Sequence, residues 1–157
     1  MNVEVIIREY INKTVHLSLA TSRDNKPWVC EVHFAYDNDL NLYFRSLTSR
    51  RHSQEIADNP QVAGNIVRQH AVDEYPHGIY FEGQAEQVTD QSEFSYIAKL
   101  FIDRLSATES IIEEAKTPEG HQFYKIAIAN WYAFGAYGEN GKSAKLELAW
   151  NSGKKQS

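Results

Sequence analysis

Cysteine is almost absent from this chain. Cys30 is the single one, so an internal disulfide framework is excluded. A basic surplus is missing too: the formal net charge of −5 argues against a general nucleic-acid binder, which needs excess cations to displace counterions from phosphates. No apolar stretch approaches the roughly 20 residues of a membrane span, so no membrane partner is expected. The opening Met1 to Glu9 has neither a basic start nor a long apolar run, which leads to the expectation of a soluble, cytoplasmic protein. Repeats and low-complexity tracts are lacking. The six histidines, His16, His33, His52, His70, His77 and His121, show no tight ligand spacing, and with one cysteine no metal site is expected. The glycines of Gly138 to Lys142 lack the strand and helix flanks of a nucleotide loop and read as a turn.

What remains is the composition of a folded domain. At 157 residues, 42% hydrophobic and 12% aromatic, the chain is expected to form one domain over 1–157 with a real core, its last residues, 152–157, forming a disordered tail. Val3, Ile6, Ile7, Tyr10 and Ile11 recur at helical spacing, which predicts an amphipathic helix within residues 1–13. Alternation then predicts a strand over 14–20, a turn at Arg23 to Pro27, a strand over 28–36, a turn at Asp37 to Asp39 and a strand over 40–45, an antiparallel meander. A helix follows and ends at Asp58-Asn59-Pro60, because proline disfavours helical geometry in its predecessor. A short strand over 62–67, a polar loop over 68–77 and a long strand over 78–89 come next, with Gly83 marking a bulge or a close approach of another group. Asp90 with Glu93 predicts a capped helix, Ser106 with Glu109 a shorter one, and strands are expected over 123–134 and 146–150. The sum is a mainly β fold with flanking helices, about six or seven mostly antiparallel strands closed into a small barrel that leaves no open edges.

Within this order, Leu42 to Ile56 concentrates the chemistry. Strand composition at Leu42-Tyr43-Phe44 gives way to the hydroxyls Ser46, Thr48 and Ser49, expected to cap the next helix, and then to Arg50-Arg51-His52 in its first turn. Cations there oppose the positive end of the helix dipole unless an anion sits among them. Free N–H groups at a helix start and guanidinium forks make a phosphate site that needs no glycine-rich loop. A solvated basic turn is the plainer alternative. Cys30 reads as a small buried hydrophobe. Trp131, Tyr132 and Phe134 read as core or interface aromatics.

The order of elements, Leu42-Tyr43-Phe44, the hydroxyl-rich loop, the paired cations, the helix ending Asn59-Pro60 and then Phe81-Glu82-Gly83-Gln84-Ala85-Glu86 resembles the FMN-binding split barrels of the pyridoxamine 5′-phosphate oxidase-like family. The likeness covers about Thr14 to Thr89 and, more loosely, the final strands. It is closest to small uncharacterised bacterial members. The resemblance implies a homodimer holding FMN at its interface, with a small-molecule substrate or electron donor. It implies that Ser46, Ser49, Arg50, Arg51, His52 and Gln54 supply the phosphate side of the site, while the strand around Cys30, Glu31 and Val32 runs its backbone past the flavin ring. Two registers are open: Arg51-His52 matching the family's Arg-Lys pair, or Ser49-Arg50-Arg51 matching its Ser-Arg-Lys. The C-terminal Arg-x-His of the true oxidases is lacking, since Arg104 is the last arginine and only His121 follows it. Oxidation of pyridoxamine phosphate is therefore not expected. An FMN-dependent oxidoreductase and a non-catalytic flavin or phosphate-ligand sensor on the same barrel are the two functional expectations. No catalytic acid or base is assigned, since a flavin brings its own redox chemistry.

Overall fold

One bent segment decides the architecture. In the computed structural model, which describes residues 1–150, β1 (His16–Arg23) and β2 (Lys26–His33) form a hairpin with His16 opposite His33 and Arg23 opposite Lys26. Its turn is the pair Asp24-Asn25, both at positive φ (53° and 59°), a conformation these residues tolerate and that matches the twist of the flanking strands. The chain then bends at the buried Phe34 and continues as β3 (Ala35–Tyr36), which pairs with β4 (Leu42–Ser46). The sheet runs β2-β1-β5-β6-β7-β4-β3, where β5 is Gln61–Ile66, β6 Gly78–Gln87 and β7 Gln122–Gly135, and β8 (Ala144–Ala149) adds to β7. β2 and β3 stand at opposite ends of that path yet are joined through Phe34, so the sheet wraps round on itself as a split barrel.

This corrects the expected meander. β1, β2 and β4 are not consecutive neighbours, because the second predicted strand breaks at Phe34 and gives its halves to different partners. The same break accounts for a count of eight strands among the described residues. The turn between β3 and β4 is more than the solvated acid run its sequence suggests. Asp37 is buried, its Oδ1 accepting from the Asp39 and Asn41 amides and its Oδ2 from Asn41 Nδ2 and Tyr43 OH. These bonds hold Leu40 at φ 57°.

Inward positions alternate as expected. Leu17, Leu19, Phe34, Leu42, Phe44, Ile66, Ile79, Phe81, Ile126 and Trp131 fill the barrel, with Ile7, Tyr10 and Ile11 of α1 (Val3–Ile11) closing one end. Gly83 does sit at a bulge: the ladder shifts register between Glu82 and Gly83, and a Cβ there would lie 2.2 Å from the Ala127 carbonyl oxygen. A second cluster seals the outside of β4 and β7. It is built from Phe94, Ile97, Ala98 and Phe101 of α3 (Phe94–Leu105), Ile111 and Ala115 of α4 (Ser110–Ala115), and Tyr43 and Phe123.

Two capping expectations change. Asp90 caps a single 3₁₀ turn over Gln91–Glu93, accepting from Ser92 N at 3.0 Å, and α3 starts only after it. Ser106 ends α3 in the left-handed region at φ 55° instead of opening α4, which begins at Ser110 with no side-chain cap. The expected tail over 152–157 lies outside the described residues. Among the described residues no helix is long and apolar enough to cross a membrane.

Candidate functional site

The expected anion seat lies where β4 runs out and α2 (Arg51–Asp58) begins. Arg50 is the residue before the helix, in extended conformation, and no side chain caps it; Ser49 and Thr48 are exposed and do not supply the predicted hydroxyl cap. No acidic residue occupies the first turn, so the positive end of the helix is left without compensation from its own sequence.

The buried Ser46 and Ser53 and the half-buried His52 form a polar cluster beneath this helix start. Ser46 Oγ is 2.8 Å from His52 Nε2, and Ser53 Oγ donates to Ser46 Oγ at 3.1 Å. Burial pushes the His52 imidazole below its ordinary value; the Arg50 charge pushes in the same direction and Glu55 opposes both. His52 is thus a neutral ring held beside a hydroxyl, and it gains its positive charge only when an anion arrives or the pH falls.

Ser46 and His52 face a cavity of about 430 Å³. One wall carries Arg45, Ser46, Arg50 and His52, the opposite wall Glu31, Val32 and His33 of β2, and Phe101, Leu105 and His121 complete it. Arg45 donates from one terminal nitrogen to Glu114 Oε2 at 2.5 Å, while its Nε is buried with no hydrogen-bond partner. A buried donor left open costs roughly 1–3 kcal/mol. Glu114 also takes His121 Nδ1 at 2.6 Å. Burial pushes its carboxyl up, but the His121 bonds and the Arg45 charge outweigh that and bring it down, so Glu114 stays ionised and holds the Arg45 and His121 side chains in place.

The expected residues divide. Glu31, Val32, Ser46, Arg50 and His52 come together in the cavity, and Cys30, Ser49, Arg51 and Gln54 do not line it. Arg51 points the other way. Its Nε donates to Glu55 Oε2 at 2.8 Å and its guanidinium lies 4.3 Å above the Trp28 ring. Glu55 is only 2% exposed and also accepts from Thr21 Oγ1 at 2.9 Å, so this pair ties α2 to β1 and β2. The cavity takes Arg50 from one sequence register and His52 from the other, because Arg50 is still extended before the helix while Arg51, the first helical residue, turns to Glu55 and Trp28. Cys30 is half-buried opposite Leu19, and burial, aided by the Glu31 charge, pushes its thiol up to about 11, which keeps it protonated and unreactive.

Sequence reasoning assigns no site role to Arg45, His33 or His121. Alternation along Leu42 to Ser46 does put Arg45 on the face opposite Phe44, but nothing local says that this face looks into a cavity. His121 arrives from a different part of the chain. The cavity opens along β2, which is hydrogen-bonded on one side only and so presents main-chain N–H and C=O groups to whatever lies there. A larger cavity of about 600 Å³, floored by Ala20, Ala63, Ala127 and Ala129 beside Gly83, holds no cation. Among the described residues no group of three or more His, Cys, Asp or Glu side chains is placed to hold a metal ion.

Known structures share this architecture. A conserved hypothetical protein from Mycobacterium tuberculosis superposes with a TM-score of 0.70 at 16% identity, over 85% of this chain and 84% of its own. An FAD-binding protein from Mesorhizobium loti gives 0.61 at 17% identity, covering 92% and 94%. The heme storage protein of Vibrio cholerae gives 0.62 at 18% identity, covering 80% and 89%. No curated protein sequence matches the chain. The family model described as pyridoxamine 5′-phosphate oxidase matches residues 6–135, a span that takes in most of α1, the whole barrel path and the cationic cavity. The chain therefore belongs to the pyridoxamine 5′-phosphate oxidase family.

Proposed function

We propose that this protein is an FMN-dependent oxidoreductase acting on a small molecule, with the flavin phosphate held by Arg45, Ser46, Arg50 and His52 and the flavin ring lying along β2. The observation that carries the reading is the cationic cavity itself: in a chain of net charge −5, it gathers Arg50, an arginine with an open buried Nε, and a ring that can take up a proton. A phosphate fits that donor set, since it offers several acceptor oxygens at the uncompensated start of a helix.

Each residue then has a defined task. Arg50 supplies an exposed charge, Arg45 a charge oriented by Glu114, and His52 a proton shared with the bound oxyanion. Val32, Phe101 and Leu105 exclude water beside them. When bound, FMN supplies the chemistry, accepting two electrons from a donor and passing them to an acceptor. The chain contributes binding, orientation and electrostatics.

Turnover, as opposed to mere flavin binding, is supported by the open groove. Trp131 is fully buried and Trp150 is held with its Nε1 donating to Asp39 O, so neither covers the edge of β2. A homodimer is part of the proposal, supported by the exposed Trp28 and Val29 on that edge strand, apolar surface suited to a second copy. Pyridoxamine phosphate is not the proposed substrate. Arg104, the last arginine, is spent on the carbonyls of Ile11, Thr14 and Phe34.

The test is an absorption spectrum of the purified protein before and after adding FMN, followed by anaerobic reduced nicotinamide. A bound-flavin spectrum that bleaches with the donor supports the proposal. Bound flavin that no donor reduces favours the non-catalytic sensor, and a Soret band with no flavin would replace FMN by heme.

A further inference from the structure

The wall that faces Arg45, Arg50 and His52 carries a carboxylate. Glu31 of β2 lines the cationic cavity and also the next space along the hairpin, of about 480 Å³, together with His16, Ser18 and Asn65. Its side chain is pinned. Ser18 stands opposite Glu31 in the ladder and donates from Oγ to Oε1, while Oε2 lies 3.1 Å from Nδ1 of His16, the cross-strand neighbour of His33. Among the described residues no lysine or arginine pairs with it.

A carboxylate set against an anion seat weakens the hold on the anion, so phosphate binding gives no reason for it. The other end of the ligand does. On the FMN reading the phosphate takes up Arg50 and His52, Arg45 is tied to Glu114, and the ring lies along the strand that carries Glu31. When FMN is bound, two electrons and one proton enter its ring on reduction and leave one negative charge there, while the phosphate keeps the same charge throughout. A fixed carboxylate beside the ring therefore opposes the reduced state more than the oxidised one. Beside the phosphate alone it would oppose both equally. The Glu31 side chain is 59% exposed in the free protein, and a ring laid along β2 displaces water from it, which strengthens the action of its charge.

We propose that Glu31 sets the reduction potential of the bound flavin, its pinned charge holding that potential below the value a neutral residue would give. This rests on the FMN reading and gives the side chain of Glu31 a task separate from phosphate binding. A lower potential makes the reduced flavin a stronger electron donor, which suits an acceptor that is hard to reduce.

The experiment is an anaerobic reductive titration of the FMN-loaded full chain with dithionite beside a reference dye, with FMN affinity measured by flavin fluorescence. It is done on the native protein, on Glu31→Gln and on Ser18→Ala. The first variant removes the charge but keeps the size of the side chain and an oxygen for Ser18; the second keeps the charge and removes the contact. The two-electron potential reports the ratio of affinities for oxidised and reduced FMN, tenfold corresponding to about 30 mV. Glu31→Gln is expected to favour reduced over oxidised FMN about fivefold, an upward shift of about 20 mV, with Ser18→Ala within about twofold of native. An unchanged potential in Glu31→Gln overturns the proposal, even where oxidised FMN binds more tightly, since equal tightening of both states places the effect on the phosphate. An equal shift in Ser18→Ala overturns it too, because the cause is then the strand contact and not the charge. In both cases flavin bound to the native protein leaves the FMN reading standing; a native protein that binds no FMN ends both.

Discussion

Arg50 and Arg51 are adjacent arginines with opposite work. Arg51 is held by a buried carboxylate and an indole, whereas Arg50 is free to meet a ligand. Arg50→Ala should therefore weaken FMN binding by about 1.5–3 kcal/mol, roughly 10- to 150-fold, with an unchanged melting curve. Arg51→Ala should leave FMN affinity nearly intact and lower the melting temperature instead, because it strands Glu55. Titration and melting of both variants check this, and a reversed pattern would return the phosphate to Arg51.

His52 makes the protein pH-dependent in two opposite senses. Its value in the folded chain is lowered, so without ligand the folded state binds fewer protons there than the unfolded chain; the stability it contributes is full above the ordinary histidine value near 6.5 and is lost as pH falls below it. A bound dianion favours the charged ring, so FMN affinity should rise as pH drops from about 8 toward 6, where the phosphate begins to take its own second proton. In His52→Gln both slopes should flatten, as FMN titrations and melts at several pH values would show.

At the scale of elements, the barrel depends on joints more than on individual strands. Arg104 of α3 donates to the carbonyls of Ile11, Thr14 and Phe34, and its guanidinium lies 4.7 Å above the rings of both Phe34 and Tyr36. One side chain thereby fastens the end of α1 and the bend between β2 and β3 to the outer helix. Arg104→Met keeps much of the packing but removes the donors. It should cost about 3 kcal/mol, or roughly 10 °C in melting temperature. Gly83 is a second joint. Gly83→Ala drives a methyl against the Ala127 carbonyl at the bulge and should cost about 1–3 kcal/mol by overpacking, measurable as a shift of the urea midpoint without a change in slope.

For the whole molecule, the proposal of a dimer makes the simplest demand: a mass in solution of twice 18.0 kDa. A strict monomer by sedimentation would remove the proposed interface and leave the groove open on the side of β2. Trp28→Glu should push a dimer toward monomer, since it puts charge into apolar surface that the second copy would cover, while the separate folds survive.

The sequence by itself determined the order and kind of nearly every element, because helical spacing and strand alternation are local properties that burial then rewards. It determined that Gly83 needs the room of a bulge and that cations cluster where β4 meets α2. Tertiary structure alone decided that the second strand would split at Phe34 and join both ends of the sheet, since strand pairing is set between segments far apart in the chain. It alone decided that Arg51 would turn to Glu55 and Trp28 and that Arg45 and His121 would meet over Glu114. Local pattern fixes which way a side chain leaves its own backbone; only the packed fold supplies what it meets there.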